Sequence, residues 1–242
     1  MNKSFSLSLF FLVIFFAAIF SSCHNKGIKK YSDSKTLFRL LEPKECGIYF
    51  SNKLTESDTD NAIFYEYYYN GSGLAVGDLD NDGLSDIVFG ANMTECRIYL
   101  NKGKLKFSDI TRQSGLNTSG KWITGVSLVD INNDGWLDIY LCAAGNIDYD
   151  YTNLLYVSNG EGENLSFKEC AAAVGLDDRG YSTQAVFFDY DCDGDLDMYL
   201  VTASMTIPNK NALRQRKNDG SMPNTDRLYR NEGINPKTNL PL

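Results

Sequence analysis

The sequence predicts an all-β fold, a propeller built from repeated four-stranded blades. Two observations carry this. One acidic phrase occurs three times in register, opening at Asp78, Asp130 and Asp189, with a period of about 50–60 residues of the kind that marks blade-forming repeats. Each copy is set among short apolar and aromatic runs separated by turn residues, with no sustained helical periodicity.

The elements follow in the same order in each copy. An apolar strand leads into the acidic loop and a second leaves it. A third strand ends in Asn, at residues 97–101, 154–159 and 227–231, and a Phe-bearing fourth follows at 105–109 and 165–169. Four strands make one blade, and a blade apolar on both faces must stack on neighbours. Residues 46–242 hold under four blades at about 50–60 residues each, whereas rings use about 4–8. The sequence is therefore read as the N-terminal portion of a longer protein with a larger ring, the alternative being a short array completed by another chain.

Composition narrows the chemistry. The 242 residues carry 31 Asp plus Glu against 23 Lys plus Arg, a net charge of −8, which argues against nucleic acid as a partner. The single histidine, His24, rules out a Ser-His-Asp triad, a Cys-His dyad and a His-ligated zinc. Carboxylate chemistry, cation binding or no catalysis remain.

The N-terminus reads as an export address. Lys3 precedes an uncharged apolar run at residues 5–20, then Ser21-Ser22-Cys23 and a polar His24-Asn25-Lys26. This resembles a bacterial lipoprotein signal occupying residues 1–22, with Cys23 lipidated and residues 23–45 as a linker. Phe20 departs from the Leu usual in that pattern. The expected location is a membrane-anchored site at the outer membrane or cell surface, or in the periplasm. An uncleaved membrane helix is the rival reading, since the run is close to the ~17 residues needed to span. Cys46, Cys96, Cys142, Cys170 and Cys192 show no CxxC pair and no disulfide spacing, and Cys142 reads as a small buried hydrophobe. Matches to Asn-x-Ser/Thr at Asn70, Asn92, Asn117 and Asn164 read as chance, given that signal.

The acidic phrase is Asp-x-Asp/Asn-x-Asp-Gly-x-x-Asp. It offers side-chain oxygens at positions one, three, five and nine: Asp78, Asp80, Asp82 and Asp86; Asp130, Asn132, Asp134 and Asp138; Asp189, Asp191, Asp193 and Asp197. Position seven, occupied by Leu84, Trp136 and Asp195, can add a backbone carbonyl. Calcium takes 6–8 oxygens, and the Gly at position six allows the sharp turn that aims them inward. Crowded carboxylates repel without a cation, so three such loops predict three Ca²⁺, which would neutralise most of the net charge. An EF-hand is excluded, because its Glu at position twelve is replaced by Phe89, Leu141 and Leu200.

These loops resemble those of the FG-GAP/VCBS repeat family, and residues 69–78 and 226–231 look similar to a bacterial lipoprotein branch related to the cartilage acidic proteins. The resemblance implies an integrin-α-like β-propeller of about seven blades, with calcium in the hairpin between the first two strands of each blade. It is specific for the repeat and says little about activity.

Hairpins alternate between the two ends of an antiparallel blade, so residues 91–96, 143–153 and 202–226 should open on the face opposite calcium. Long loops on one rigid face are where binding concentrates. Candidate ligand-binding residues there are Trp122, Asp148, Tyr149, Asp150, Tyr151 and Tyr181, although Trp122 equally suits packing between blades. The tyrosines at 65–69 read as strand or core. The leading expectation is a non-catalytic, calcium-binding module that presents this face to an extracellular or periplasmic protein or glycan. The alternatives are a scaffold for an activity located elsewhere and a polysaccharide-active propeller enzyme. Asp148 with Asp150 is the one acidic pair outside the loops that would serve the latter.

Overall fold

Short antiparallel strands carry nearly all the regular structure. The computed structural model describes residues 37–145, 149–162, 164–203, 221–222 and 224–241. Residues 37–41 have no regular element, and the chain from Glu42 onward forms a compact unit. Its first blade is β1 (Leu74–Gly77), β2 (Asp86–Phe89), β3 (Arg97–Asn101) and β4 (Phe107–Asp109). The second is β5 (Trp122–Val129), β6 (Asp138–Ala144), β7 (Leu154–Ser158) and β8 (Phe167–Glu169). Both are four-stranded sheets in sequence order. The third contains β9 (Ser182–Phe188), β10 (Asp197–Thr202) and β11 (Arg227–Tyr229), followed by a separate small hairpin of β12 (Ile234–Asn235) and β13 (Leu240–Pro241). The sheets form no closed ring among the described residues.

Two apolar layers lie between the blades. Val88, Ile98 and Leu100 of the first blade pack with Val126, Ile139, Leu141 and Tyr156 of the second. On its other face the second blade sends Val129, Ile131, Tyr140 and Leu155 against Ala185, Met198 and Leu200 of the third. Cys142 is buried in this layer as a small hydrophobe, and no disulfide forms among the described cysteines.

The innermost strands approach closely. The Ser127 hydroxyl on β5 donates to the Ala185 carbonyl on β9 at 2.6 Å, and the Thr124 hydroxyl to the Ser182 carbonyl at 2.6 Å. Gly125 makes this approach possible, since a Cβ there would collide with the Thr183 carbonyl oxygen. Gly125→Ala should therefore cost about 1–3 kcal/mol, read from the urea midpoint; an unchanged midpoint would mean that the strands separate freely.

One repeated feature begins earlier than the sequence pattern suggested. After β4 and β8 the chain makes a helical or 3₁₀ turn, then a left-handed glycine, Gly115 or Gly175. The same form precedes the first blade, in α1 (Pro43–Cys46) and the left-handed Gly47. Gly47 abuts the Phe107 carbonyl just as Gly115 abuts that of Phe167. Two residues later, the Tyr49 amide donates to the Tyr99 hydroxyl at 3.3 Å, as the Asn117 amide does to that of Tyr156 at 3.2 Å. Residues 43–50 thus repeat the blade-closing loop, which composition alone does not mark because only Gly47 and an apolar Ile48 are shared in kind.

The outer face of the third blade differs from its counterpart. Phe188, Tyr190, Tyr199 and Leu228 stand 40, 43, 38 and 49 % exposed. They occupy the repeat positions at which Val129, Ile131, Tyr140 and Leu155 of the second blade are buried. At the opposite end, Leu74 and Val76 of β1 are also exposed.

Candidate metal centres and loop face

Each acidic phrase forms the hairpin between the first two strands of its blade, with Gly77 paired to Asp86, Val129 to Asp138 and Phe188 to Asp197. The carboxylate at position one closes the turn. Asp78 accepts from the amides of Asp82 at 3.1 Å and Gly83 at 2.8 Å, Asp130 from Asp134 and Gly135, and Asp189 from Asp193 and Gly194. Position five accepts from the amide of position seven, as Asp82 does from Leu84 at 2.8 Å. Position four is left-handed in all three loops, at Asn81, Asn133 and Cys192. Asn tolerates that conformation, whereas Cys does so at a cost. Cys192→Asn should stabilise the chain by about 1 kcal/mol, raising the urea midpoint; no rise would show that the third loop relaxes its turn at no cost.

Position nine acts as a bracket. Asp86, fully buried, accepts from the Leu79 amide in its own loop and from the Asn101 amide at the end of β3, both at 2.8 Å. Asp138 does the same with Ile131 and Ser158, and Asp197 with Tyr190 and Asn231. Burial pushes the Asp86 carboxyl up to about 6 and that of Asp138 to about 7, against the pull of these amides and with help from the neighbouring loop aspartates.

Position three is the place in these loops whose chemistry fits a cation. One side-chain oxygen of Asp80 and the side-chain oxygen of Asn132 are buried without a hydrogen-bond partner. The Asp80 side chain is only 7 % exposed, and its other oxygen lies 3.4 Å from the Lys102 ammonium. Uncompensated buried oxygens are costly, and a cation facing them removes that cost. Carboxylate oxygens of Asp78, Asp80 and Asp82 lie within 4.8 Å of one another, as do those of Asp189, Asp191 and Asp197. Two acidic clusters therefore can hold a metal ion, through an all-oxygen donor set of the kind hard cations prefer. Burial and the adjacent Asp193 and Asp197 raise the Asp191 carboxyl, the mutual repulsion that a cation relieves. The first two loops lie side by side, joined by the Asn81 side-chain amide donating to the Gly135 carbonyl at 3.0 Å.

The structure describes five of the six candidate ligand residues; Asp148 lies outside the described residues, as does Cys23. Trp122 is 1 % exposed, packed against the rings of Tyr65, Tyr68 and Tyr149 at centroid distances of 5.4, 5.3 and 5.3 Å, the packing role the sequence equally allowed, and it also lines the cavity beside Tyr181. Tyr65 and Tyr68 are core residues within turns, not a strand. Tyr149 donates to Asp60 at 2.8 Å. Asp150 pairs with Lys121 at 2.7 Å; burial alone would raise its carboxyl, but the ammonium and Thr152 outweigh that and hold it at about 2. A carboxyl so low is a poor general acid at neutral pH. Tyr151 and Tyr181 meet edge to face at 5.0 Å. Tyr181, Tyr67, Thr183 and Ser72 border a cavity of about 310 Å³.

Among the described residues no helix is long and apolar enough to cross a membrane. Residues 78–141, from the start of the first acidic loop into β6, match the family described as FG-GAP-like repeat. The chain is also similar to cartilage acidic protein 1. It is 30% identical to the Mus musculus protein over 139 residues, 55% of this chain and 21% of that protein. The Homo sapiens protein is 31% identical over 139 residues, 55% and 20%, and the Xenopus tropicalis protein 29% over 141 residues, 56% and 21%. The chain thus spans about a fifth of the curated relatives it matches.

Proposed function

We propose that this chain, with its FG-GAP-like repeat, is a calcium-binding module of a larger β-propeller that recognises a protein or glycan and carries no catalysis of its own. The observation that supports it best is the partnerless buried oxygen at position three of two successive loops, inside turns whose position-one carboxylates already accept two backbone amides each. Calcium suits this set better than magnesium, which prefers few protein ligands and strict octahedral geometry. Asp78, Asp80, Asp82 and Asp86 would hold the first ion with the carbonyl of Leu84. The corresponding residues with Trp136 and Asp195 would hold the others. Bound calcium would neutralise the loop carboxylates and lock the hairpins; the chain's own side chains already set the turn. Melting the chain in calcium and in chelator tests this, and equal transitions would sink it.

The larger ring is supported by the exposed apolar face of the third blade, whose repeat counterparts are covered by a neighbouring blade in the second. Further blades would cover it. The recognition surface is the loop face around Tyr151 and Tyr181, opposite the acidic hairpins. Export and tethering rest on residues 1–23, with Cys23 as the lipidated residue. Cys23→Ser should move the protein from the membrane to the soluble fraction, and membrane retention with an uncleaved N-terminus would replace the lipid anchor by a helix.

A further inference from the structure

Arg97 and Tyr99 on β3 occupy the repeat positions of Arg227 and Tyr229 on β11. In the third blade these two side chains clamp one carboxylate. The Arg227 guanidinium donates to Asp178 Oδ1 at 3.2 Å, and the Tyr229 hydroxyl to Asp178 Oδ2 at 2.7 Å. Asp178 stands three residues after the left-handed Gly175 of the blade-closing loop. In the loop that faces the first blade, the residue three after Gly47 is Phe50, which stacks on Phe89 at 4.8 Å. The arginine is kept while its acid is replaced. Among the described residues the acid nearest Arg97 in an ion pair is the exposed Glu95 at 3.7 Å, beyond hydrogen-bond length.

A groove opens beside it. It has a volume of about 670 Å³, within the range of ligand sites. Lys53, Arg97 and Arg112 line it against Glu95 and Asp109, giving a local excess of positive charge on a chain of net charge −8. Neither Lys53 nor Arg112 makes an ion pair among the described residues. Tyr49, 70 % exposed, forms part of its wall.

We propose that this groove is a binding site for an acidic peptide segment of a partner protein, with an Asp or Glu carboxylate held by Arg97 as Asp178 is held by Arg227. The internal precedent selects a peptide carboxylate, and Lys53 and Arg112 provide for neighbouring acids. The inference adds a ligand chemistry to the binding reading above and rests on it. Groove residues 94 and 95 belong to the first of the loops opposite the acidic hairpins, so the site extends that face.

The test is a titration of the full chain, at fixed calcium, with capped tetra-aspartate, tetra-asparagine and trigalacturonate, followed by NMR. Tetra-aspartate should saturate with a Kd of about 1 mM, shifting Arg97 and Arg112, and weaken as salt rises. Tetra-asparagine should not saturate. Arg97→Gln should weaken binding about tenfold or more, and Arg112→Gln, an exposed change with little risk to folding, should weaken it less. Failure of tetra-aspartate to saturate, equal binding of tetra-asparagine, or indifference to Arg97→Gln overturns the site. Trigalacturonate binding there in place of the peptide overturns it in favour of an acidic glycan. The calcium-dependent melt is read on the same samples. Lost peptide binding with the calcium shift retained removes this site alone, whereas a lost calcium shift removes the calcium reading.

Discussion

Adding about 10 mM calcium to the chelated chain raises its melting temperature by roughly 10–20 °C. The arithmetic is linkage. Extracellular-type sites bind calcium with Kd of about 10⁻⁴ M at the tight end, and a ligand at a hundred times its Kd adds ~2.7 kcal/mol per site. For a chain of this size each kcal/mol moves the midpoint by about 2–4 °C, and two carboxylate clusters give the stated range. The variant that isolates the metal is Asp80→Ala with Asp191→Ala. Position one closes the turn and position nine ties β2, β6 and β10 to their neighbours, so removing those would weaken the fold with or without metal. Among the described residues position three makes no bond to the backbone, and Asp80 has the Lys102 contact and one partnerless oxygen. The double variant should melt with the wild type in chelator and lose most of the calcium increment. An increment that survives the substitutions would falsify these loops as the sites, and an equal loss in chelator would make position three structural.

The repeat and the placement of its acidic hairpins were legible because residue type and spacing both carried them. Asp-x-Asp-x-Asp-Gly needs a sharp turn, and short flanking apolar runs bounded by turn residues favour strands over helices. The second role of position nine was not legible. A buried aspartate accepting two amides looks in sequence like one more ligand, and the distinction is the amide that arrives from the end of the third strand, as from Ser158 to Asp138. Trp122 was ambiguous for the same reason: its eight-residue offset from Asp130 fixes its end of the strand but not the Tyr65 and Tyr68 rings that enclose it. The loop at 43–50 escaped notice because its conformation rests on one left-handed glycine, with Pro43, Glu45 and Cys46 in place of the Ala171–Ala173 turn. The groove beside Arg97 needed the repeat and the structure together, since only the contact to Asp178 shows what the arginine at that position is for.

Asp138→Asn should cost about 3 kcal/mol in chelator, a fall in melting temperature of roughly 6–12 °C, and more in calcium, where the carboxylate is also a proposed ligand. Asp138 is fully buried and accepts the Ile131 amide at 3.1 Å through one oxygen and the Ser158 amide at 2.8 Å through the other. An asparagine can face only one of them with its oxygen. The other amide then meets an NH₂, leaving two buried donors opposed. The same residue sets a pH dependence whose sign separates the bracket from the metal. In the calcium-depleted chain the Asp138 carboxyl, raised by burial to about 7, and that of Asp86, raised to about 6, bind protons more tightly than in the unfolded chain, where the value is near 3.9. The native state therefore holds more protons between about pH 4 and 7, and these groups make the metal-free fold lose stability as pH rises through that window. Calcium favours the ionised form and opposes the trend, so the gap between calcium and chelator melts should widen with pH. Asp138→Asn removes the larger of the two contributions and should flatten the metal-free slope. A slope unchanged by the substitution would mean that Asp138 stays ionised without metal, held by its two amides alone.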